Sequence, residues 1–166
     1  MTDIEYMQIA LKQAEITLLE GGLPVGAVLT HGKTVIACDR KNPQDFHLGH
    51  AEMRVLHTVL DNKRIPKDQK FTLYTTIEPC VMCFGAILHC PNISRVVFAL
   101  EDPWGGATCL STSTLPPRHN KMIPEIIGGV LRNESKELVK QFLTISVDPF
   151  WNNKENNFVK LIHSEL

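Results

Sequence analysis

The sequence predicts an α/β fold in which helices are layered against a sheet. Segments with apolar residues at helical spacing alternate with short β-branched and aromatic runs, which implies partly parallel strands joined by right-handed crossovers. Its length of 166 residues suits one domain around one sizeable core. We therefore read residues 1–166 as a single domain with a C-terminal extension from about residue 144.

Ile4, Met7, Leu11, Ala14 and Leu18 recur on one helical face, and Gly21-Gly22 supplies a stop. Val25 to Thr30 and Thr34 to Cys38 are short apolar runs joined around His31-Gly32-Lys33, the pattern of a hairpin. The stretch from Arg40 to Gly49, with Asn42-Pro43, has loop composition. Met53, Leu56, Val59 and Leu60 restore the helical period and predict a helix over His50 to Leu60. Phe71 to Ile77 reads as a strand. Pro79 suits the first turn of a helix that runs through Val81 to Leu88 until Pro91 stops it. Val96 to Leu100 makes another strand. Asp102-Pro103-Trp104-Gly105-Gly106 and Leu115-Pro116-Pro117 are loop-like, and little periodicity returns before Ile126. A strand around Val130 and a helix from about Glu134 to Leu143 then precede a tail holding Phe150, Trp151 and Phe158.

Composition narrows the function classes. No run of 18 apolar residues could span a membrane, and the N-terminus lacks the basic start and apolar stretch of a signal peptide. Both features point to a cytoplasmic protein. Five cysteines without an export signal argue against a disulfide framework and for metal binding or redox chemistry. A net charge of −1 with no cluster of Lys and Arg weakens an RNA partner, although a local patch in the fold can still be basic.

Two motifs carry chemistry: His50-Ala51-Glu52 at one predicted helix start, and Pro79-Cys80-Val81-Met82-Cys83 at another. Zinc prefers tetrahedral nitrogen and sulfur donors, and a catalytic site keeps three protein ligands so that water holds the fourth position. His50, Cys80 and Cys83 supply that count. The Cys-x-x-Cys spacing at a helix start lets both sulfurs reach one ion, and the exposed N–H groups there stabilise thiolates. Water activated in this way becomes a nucleophile near neutral pH, and a carboxylate must then move protons to the leaving group. Glu52, two residues past His50, is placed for that work without being a ligand.

His-x-Glu followed by Pro-Cys-x-x-Cys is the signature of zinc base deaminases. The likeness extends to Leu23-Pro24-Val25-Gly26-Ala27-Val28, to Leu73 through Ala86 and to Val96-Val97-Phe98. On these residues the chain resembles the cytidine deaminase superfamily, closest to bacterial tRNA-specific adenosine deaminases, with guanine and cytosine deaminases next. The resemblance implies a three-layer α/β/α domain on a mixed sheet of about five strands, a zinc cofactor and a homodimer. It implies His50, Cys80 and Cys83 as ligands and Glu52 as proton shuttle, with Ala51 and the Cys80 backbone at base or water. Asn42, in the loop before His50, would contact the base. The substrate is then a tRNA adenosine, or alternatively a free base or nucleoside.

Other readings stand beside this one. Cys80 and Cys83 could form a redox pair, which leaves His50-Ala51-Glu52 unexplained. A purely structural zinc could recruit His47 or Cys90 as a fourth ligand, but it would not need Glu52. A zinc-stabilised binding module without turnover is the non-enzyme alternative. Alone, Glu52 is a first-turn acid that suits the helix dipole. Cys38 reads as a small core residue, and His31, His57, His89, His119 and His163 as structural or solvent-facing. Trp104 could stack on a bound base or pack a subunit contact. Phe150, Trp151 and Phe158 read first as packing of a terminal helix, with cover over the pocket as the alternative.

Overall fold

The computed structural model describes residues 1–45, 47–60, 68–110, 113 and 115–164. Helix α1 (Asp3–Leu19) starts at a capping box, in which Thr2 accepts from the Glu5 backbone and Glu5 accepts from that of Thr2. Its inward face is Tyr6, Met7, Ala10, Leu11, Ala14 and Thr17, while Ile4 is exposed. The face is thus rotated slightly from the one the sequence suggests. Strands β1 (Gly26–His31) and β2 (Thr34–Arg40) form the expected hairpin, with His31 paired to Thr34 across the turn.

Helix α2 (Ala51–Leu60), strand β3 (Phe71–Ile77), helix α3 (Val81–His89) and strand β4 (Ile93–Leu100) follow in the predicted order. The side chains of Val59 and Leu60, named above for helical spacing, lie outside what the structure describes. Pro79 sits one residue before the α3 N-cap, Cys80, so it precedes the first turn and does not enter it. Short helix α4 (Pro117–Asn120) leads to β5 (Glu125–Ile127), helix α5 (Arg132–Ile145) and helix α6 (Asn157–His163).

The final strand lies earlier than the expected position around Val130. Gly128 packs against the Phe98 ring, leaving no room for a Cβ, and Gly129 takes φ of 90°, which turns the chain out of the sheet. Val130 keeps one link, donating its N–H to the Phe98 carbonyl at 3.3 Å.

The sheet order is β2-β1-β3-β4-β5. β1 is antiparallel to both β2 and β3, whereas β3, β4 and β5 run parallel. Strand residues alternate between two cores. Val28, Tyr74, Val97 and Ala99 meet the α1 face, while Ala27, Leu29, Leu73, Val96 and Leu100 meet Val55 and Leu56 of α2 and Phe84 and Ile87 of α3. Helix α5 packs beside α1, so helices cover both faces in an α/β/α sandwich.

Cys38 corrects one expectation. It is exposed, because β2 is an edge strand and an apolar run does not by itself distinguish an edge from a centre. Among the described residues no helix is long and apolar enough to cross a membrane.

Candidate active site

The two motifs meet at the carboxyl end of β3, where the sheet changes from antiparallel to parallel pairing. His50 precedes α2 and its carbonyl accepts from Arg54 N at 3.1 Å, the first turn of that helix. Cys80 is the N-cap of α3, with its carbonyl accepting from Phe84 N at 2.8 Å. Cys83 lies one turn on and is fully buried. Two helix N-termini therefore converge on one point, and their positive ends favour anionic donors.

His50 Nδ1 is 3.6 Å from Cys80 Sγ and 3.5 Å from Cys83 Sγ. A tetrahedral zinc with ordinary Zn–N and Zn–S bonds sets its nitrogen and sulfur ligands about 3.6 Å apart. The spacing and the donor chemistry both fit zinc. Among the described residues the candidate metal cluster is His50, Cys80 and Cys83. His47 is exposed and Cys90 sits in the apolar core, so neither completes a structural fourth position.

Electrostatics agree with a cation at this point. The Cys80 thiol falls to about 3, first because Cys83 hydrogen-bonds to it and also because His50 does. Cys83 is pushed up by the same shared hydrogen bond, by burial and by the charge of Glu52. Two adjacent sulfurs and a carboxylate resist a second negative charge unless a positive ion joins them.

Glu52 is 3% exposed and points into the same space. Its Oε1 accepts from Thr75 Oγ1 at 3.1 Å and its Oε2 lies 3.7 Å from Cys83 Sγ. Burial raises its pKa. Thr75 gave no sequence signal, since a threonine in a strand reads as β-propensity alone.

A cavity of 540 Å³ opens on His50, Glu52 and Cys80. Lys41 lines it at 8% exposure; burial lowers its pKa, and the charges of Glu52, the two cysteines and Asp45 oppose that shift. Asn42, expected at the base, accepts from Gln44 N through Oδ1 at 3.0 Å, and its neighbours Lys41 and Pro43 are the loop residues that line the cavity. Ala51 is wholly buried at the start of α2.

Trp104 does line the cavity, on a loop held by acids. Glu78 accepts from Asp102 N at 3.0 Å and Thr108 N at 3.1 Å, and Asp102 accepts from the Trp104 and Gly105 amides at 2.9 Å. Gly106 bridges to Cys80, and a Cβ there would lie 2.4 Å from the Glu78 carboxyl carbon, so only glycine fits.

The far wall comes from the tail. Phe142, Phe150, Trp151 and Phe158 line it, linked by ring contacts of 5.6 Å for Phe142–Trp151, 4.7 Å for Phe150–Trp151 and 6.3 Å for Trp151–Phe158. Phe150 also meets Trp104 edge-on at 6.3 Å. The tail aromatics thus do both things the sequence left open: they pack the terminal helix and they cover the pocket.

The sequence model of the cytidine and deoxycytidylate deaminase zinc-binding region matches residues 1–100. The tRNA-specific adenosine deaminase of Bacillus subtilis (strain 168) is 31% identical over 139 residues, covering 82% of this chain and 86% of the relative. That of Agrobacterium fabrum is 31% identical over 144 residues, covering 82% and 91%. A solved structure from work on A-to-I editing by tRNA wobble-position deaminases superposes with a TM-score of 0.69 at 30% identity, covering 81% of this chain and 98% of that one. A guanine deaminase from Nitrosomonas europaea shares the fold, with a TM-score of 0.62 at 20% identity over 84% of this chain and 83% of its own. With a zinc-compatible trio beside a buried acid, and a family match spanning that whole region, the chain belongs to the zinc-dependent cytidine and deoxycytidylate deaminase family.

Proposed function

We propose that this protein removes the exocyclic amine of an adenine in tRNA by hydrolysis, with His50, Cys80 and Cys83 holding zinc and Glu52 moving the protons. The observation that carries the reading is the 3.5 and 3.6 Å spacing of the imidazole and two sulfurs, with the Glu52 carboxylate beside them on one cavity. Zinc held there supplies the Lewis acidity that brings water towards ionisation at neutral pH. Glu52 takes a proton from the attacking water and delivers protons to the ring nitrogen and the departing amine. Water supplies the new carbonyl oxygen, and ammonia leaves. Thr75 holds one Glu52 oxygen, so the other faces the reacting centre. Trp104 stacks on the base, and Asn42 and Ala51 sit in the loop and helix start that carry the lining residues Lys41, Pro43, His50 and Glu52.

The tRNA substrate is supported by the relatives' activity. A free base or nucleoside is the second reading, favoured by the aromatic wall that residues 142–158 build across the cavity and by the absence of a basic cluster in the sequence. Residues 1–166 act as one deaminase domain with a C-terminal extension from about 144, in a cytoplasmic homodimer.

Ammonia release from an adenosine-bearing anticodon stem-loop, and from free adenine, guanine, cytosine and their nucleosides, decides between the substrates. We expect the RNA to react, at a rate that falls steeply as salt rises. Turnover of a free base alone would overturn the tRNA assignment and leave the deaminase assignment standing.

A further inference from the structure

Asn156 sits at the junction of the tail and the catalytic cavity. It is the N-cap of α6, where its Oδ1 accepts from Phe158 N at 2.8 Å and from Val159 N at 3.4 Å. Its own N–H donates to the Asn153 carbonyl at 3.1 Å and its carbonyl accepts from Lys160 N at 2.9 Å. Three of its polar groups are therefore spoken for. The fourth, the Nδ2 amide, is buried and has no hydrogen-bond partner among the described residues, in a residue only 1% exposed that lines the cavity with His50 and Glu52.

The orientation of that amide is not arbitrary. Turning it over would set an NH2 group against two backbone N–H donors, so the capping bonds force Oδ1 towards the helix and Nδ2 away from it. A buried donor left unmade costs more than a typical hydrogen bond contributes, and such groups are rare enough to require a reason. Packing supplies none, because Ser, Asp and Asn cap helices about equally well and two of those carry no amide. A ligand with an acceptor does supply one.

We propose that Asn156 is a specificity-determining residue, whose Nδ2 donates a hydrogen bond to an acceptor atom, a ring nitrogen or a carbonyl oxygen, on the base held in the cavity. The inference rests on the deaminase reading and deepens it. The family match ends at residue 100, so this contact belongs to the part of the chain outside the matched region. A base lacking the acceptor leaves the buried amide unpaired, which is how buried polar groups discriminate sharply between similar ligands.

Asn156→Asp and Asn156→Ser test it on the zinc-loaded full chain, because both retain a capping oxygen and neither retains the amide. Melting temperature, zinc content, and kcat and KM for ammonia release are measured with the anticodon stem-loop and with free adenine, guanine, cytosine and their nucleosides. The expected result is an unchanged zinc content, a Tm within about 2 °C of the parent, and a rise in KM. For the reacting substrate, kcat/KM falls about tenfold for Asn156→Ser and about 100-fold for Asn156→Asp, whose oxygens face the acceptor. Parental kcat/KM in both variants would overturn the inference and leave Asn156 a helix cap. Unfolding of both variants would overturn it too, by showing a structural role that a capping oxygen does not fulfil. If the parent releases no ammonia from any of these substrates, the deaminase reading itself fails, a result separable from either variant outcome.

Discussion

Thr75 Oγ1 donates to Glu52 Oε1 at 3.1 Å, and both side chains are shut away from solvent. Thr75 sits in β3 between β1 and β4, paired with Ala27 on one side and Phe98 on the other, so the hydroxyl is anchored on a strand paired along both edges. The Glu52 carboxylate on the first turn of α2 is thereby referenced to the sheet. Thr75→Val keeps the shape and deletes the donor. It should lower kcat about tenfold with little change in KM or bound zinc. Steady-state ammonia release with metal analysis checks this, and an unchanged kcat would remove Thr75 from the positioning of Glu52.

Glu52→Gln keeps volume and hydrogen-bonding capacity but cannot carry a proton. Turnover should fall by about 10³-fold or more while zinc stays bound stoichiometrically. A variant that releases ammonia at the parental rate would refute the shuttle.

Metal removal should be felt by the fold as well as by the chemistry, because two helix starts and the end of β3 meet at the trio. Cys80→Ser, or stripping the parent with a chelator, should abolish stoichiometric zinc and lower Tm by at least about 5 °C. Calorimetry with and without added zinc measures it. A Tm indifferent to the metal would mean that the trio is held by the protein alone.

Trp151 links Phe142 of α5, Phe150 of the connecting segment and Phe158 of α6. Truncation to Ala should cost about 2 to 3 kcal/mol, below the cost for a fully buried ring because Trp151 is only partly buried. Urea denaturation gives the number, and KM for the reacting substrate should rise with it. A loss under about 0.5 kcal/mol would show that the tail wall is not cemented by this ring.

Asp3 joins α1 to the sheet through Arg95, whose two terminal nitrogens meet its carboxylate at 2.8 and 2.7 Å, and through the Tyr74 hydroxyl at 2.8 Å. The Arg95 hydrogen bonds hold its pKa below the ordinary 3.8, with burial opposing and Tyr74 adding to the effect. A depressed folded pKa contributes stability that is fully present above the unfolded value and disappears as pH falls through the folded one. Asp3→Asn should therefore destabilise the protein at neutral pH and flatten the acid limb of its stability curve below about pH 4. Equal losses for parent and variant across pH 2 to 7 would exclude this contribution, as read from Tm against pH.

Legibility in the sequence followed the range of the interactions. β3, running from Phe71 to Ile77, has the predicted bounds because a β-branched and aromatic run between turn signals is a local property. Cys38 is exposed where its apolar run suggests core because edge or centre depends on which strands pair, and the last strand ends before Val130 because the Phe98 ring, distant in sequence, decides where Gly128 leaves the sheet. The convergence of His50, Cys80 and Cys83 was legible because donors at short spacing beside helix starts are a local pattern. Lys41, Thr75 and Asn156 were not, since ordinary residue types acquire meaning only from what the fold sets beside them.

By itself the amino-acid order determined the layered architecture and the donor set of His50, Cys80 and Cys83 with the acid next to it, because helical period, strand period and coordination chemistry are all written in local spacing. Only the tertiary structure decided that residues between 142 and 158 line the cavity, which hydroxyl steadies Glu52 and which buried amide lacks a partner among the described residues. Those depend on contacts between segments as many as a hundred residues apart, and their free energies arise from packing and burial that exist only once the chain has folded.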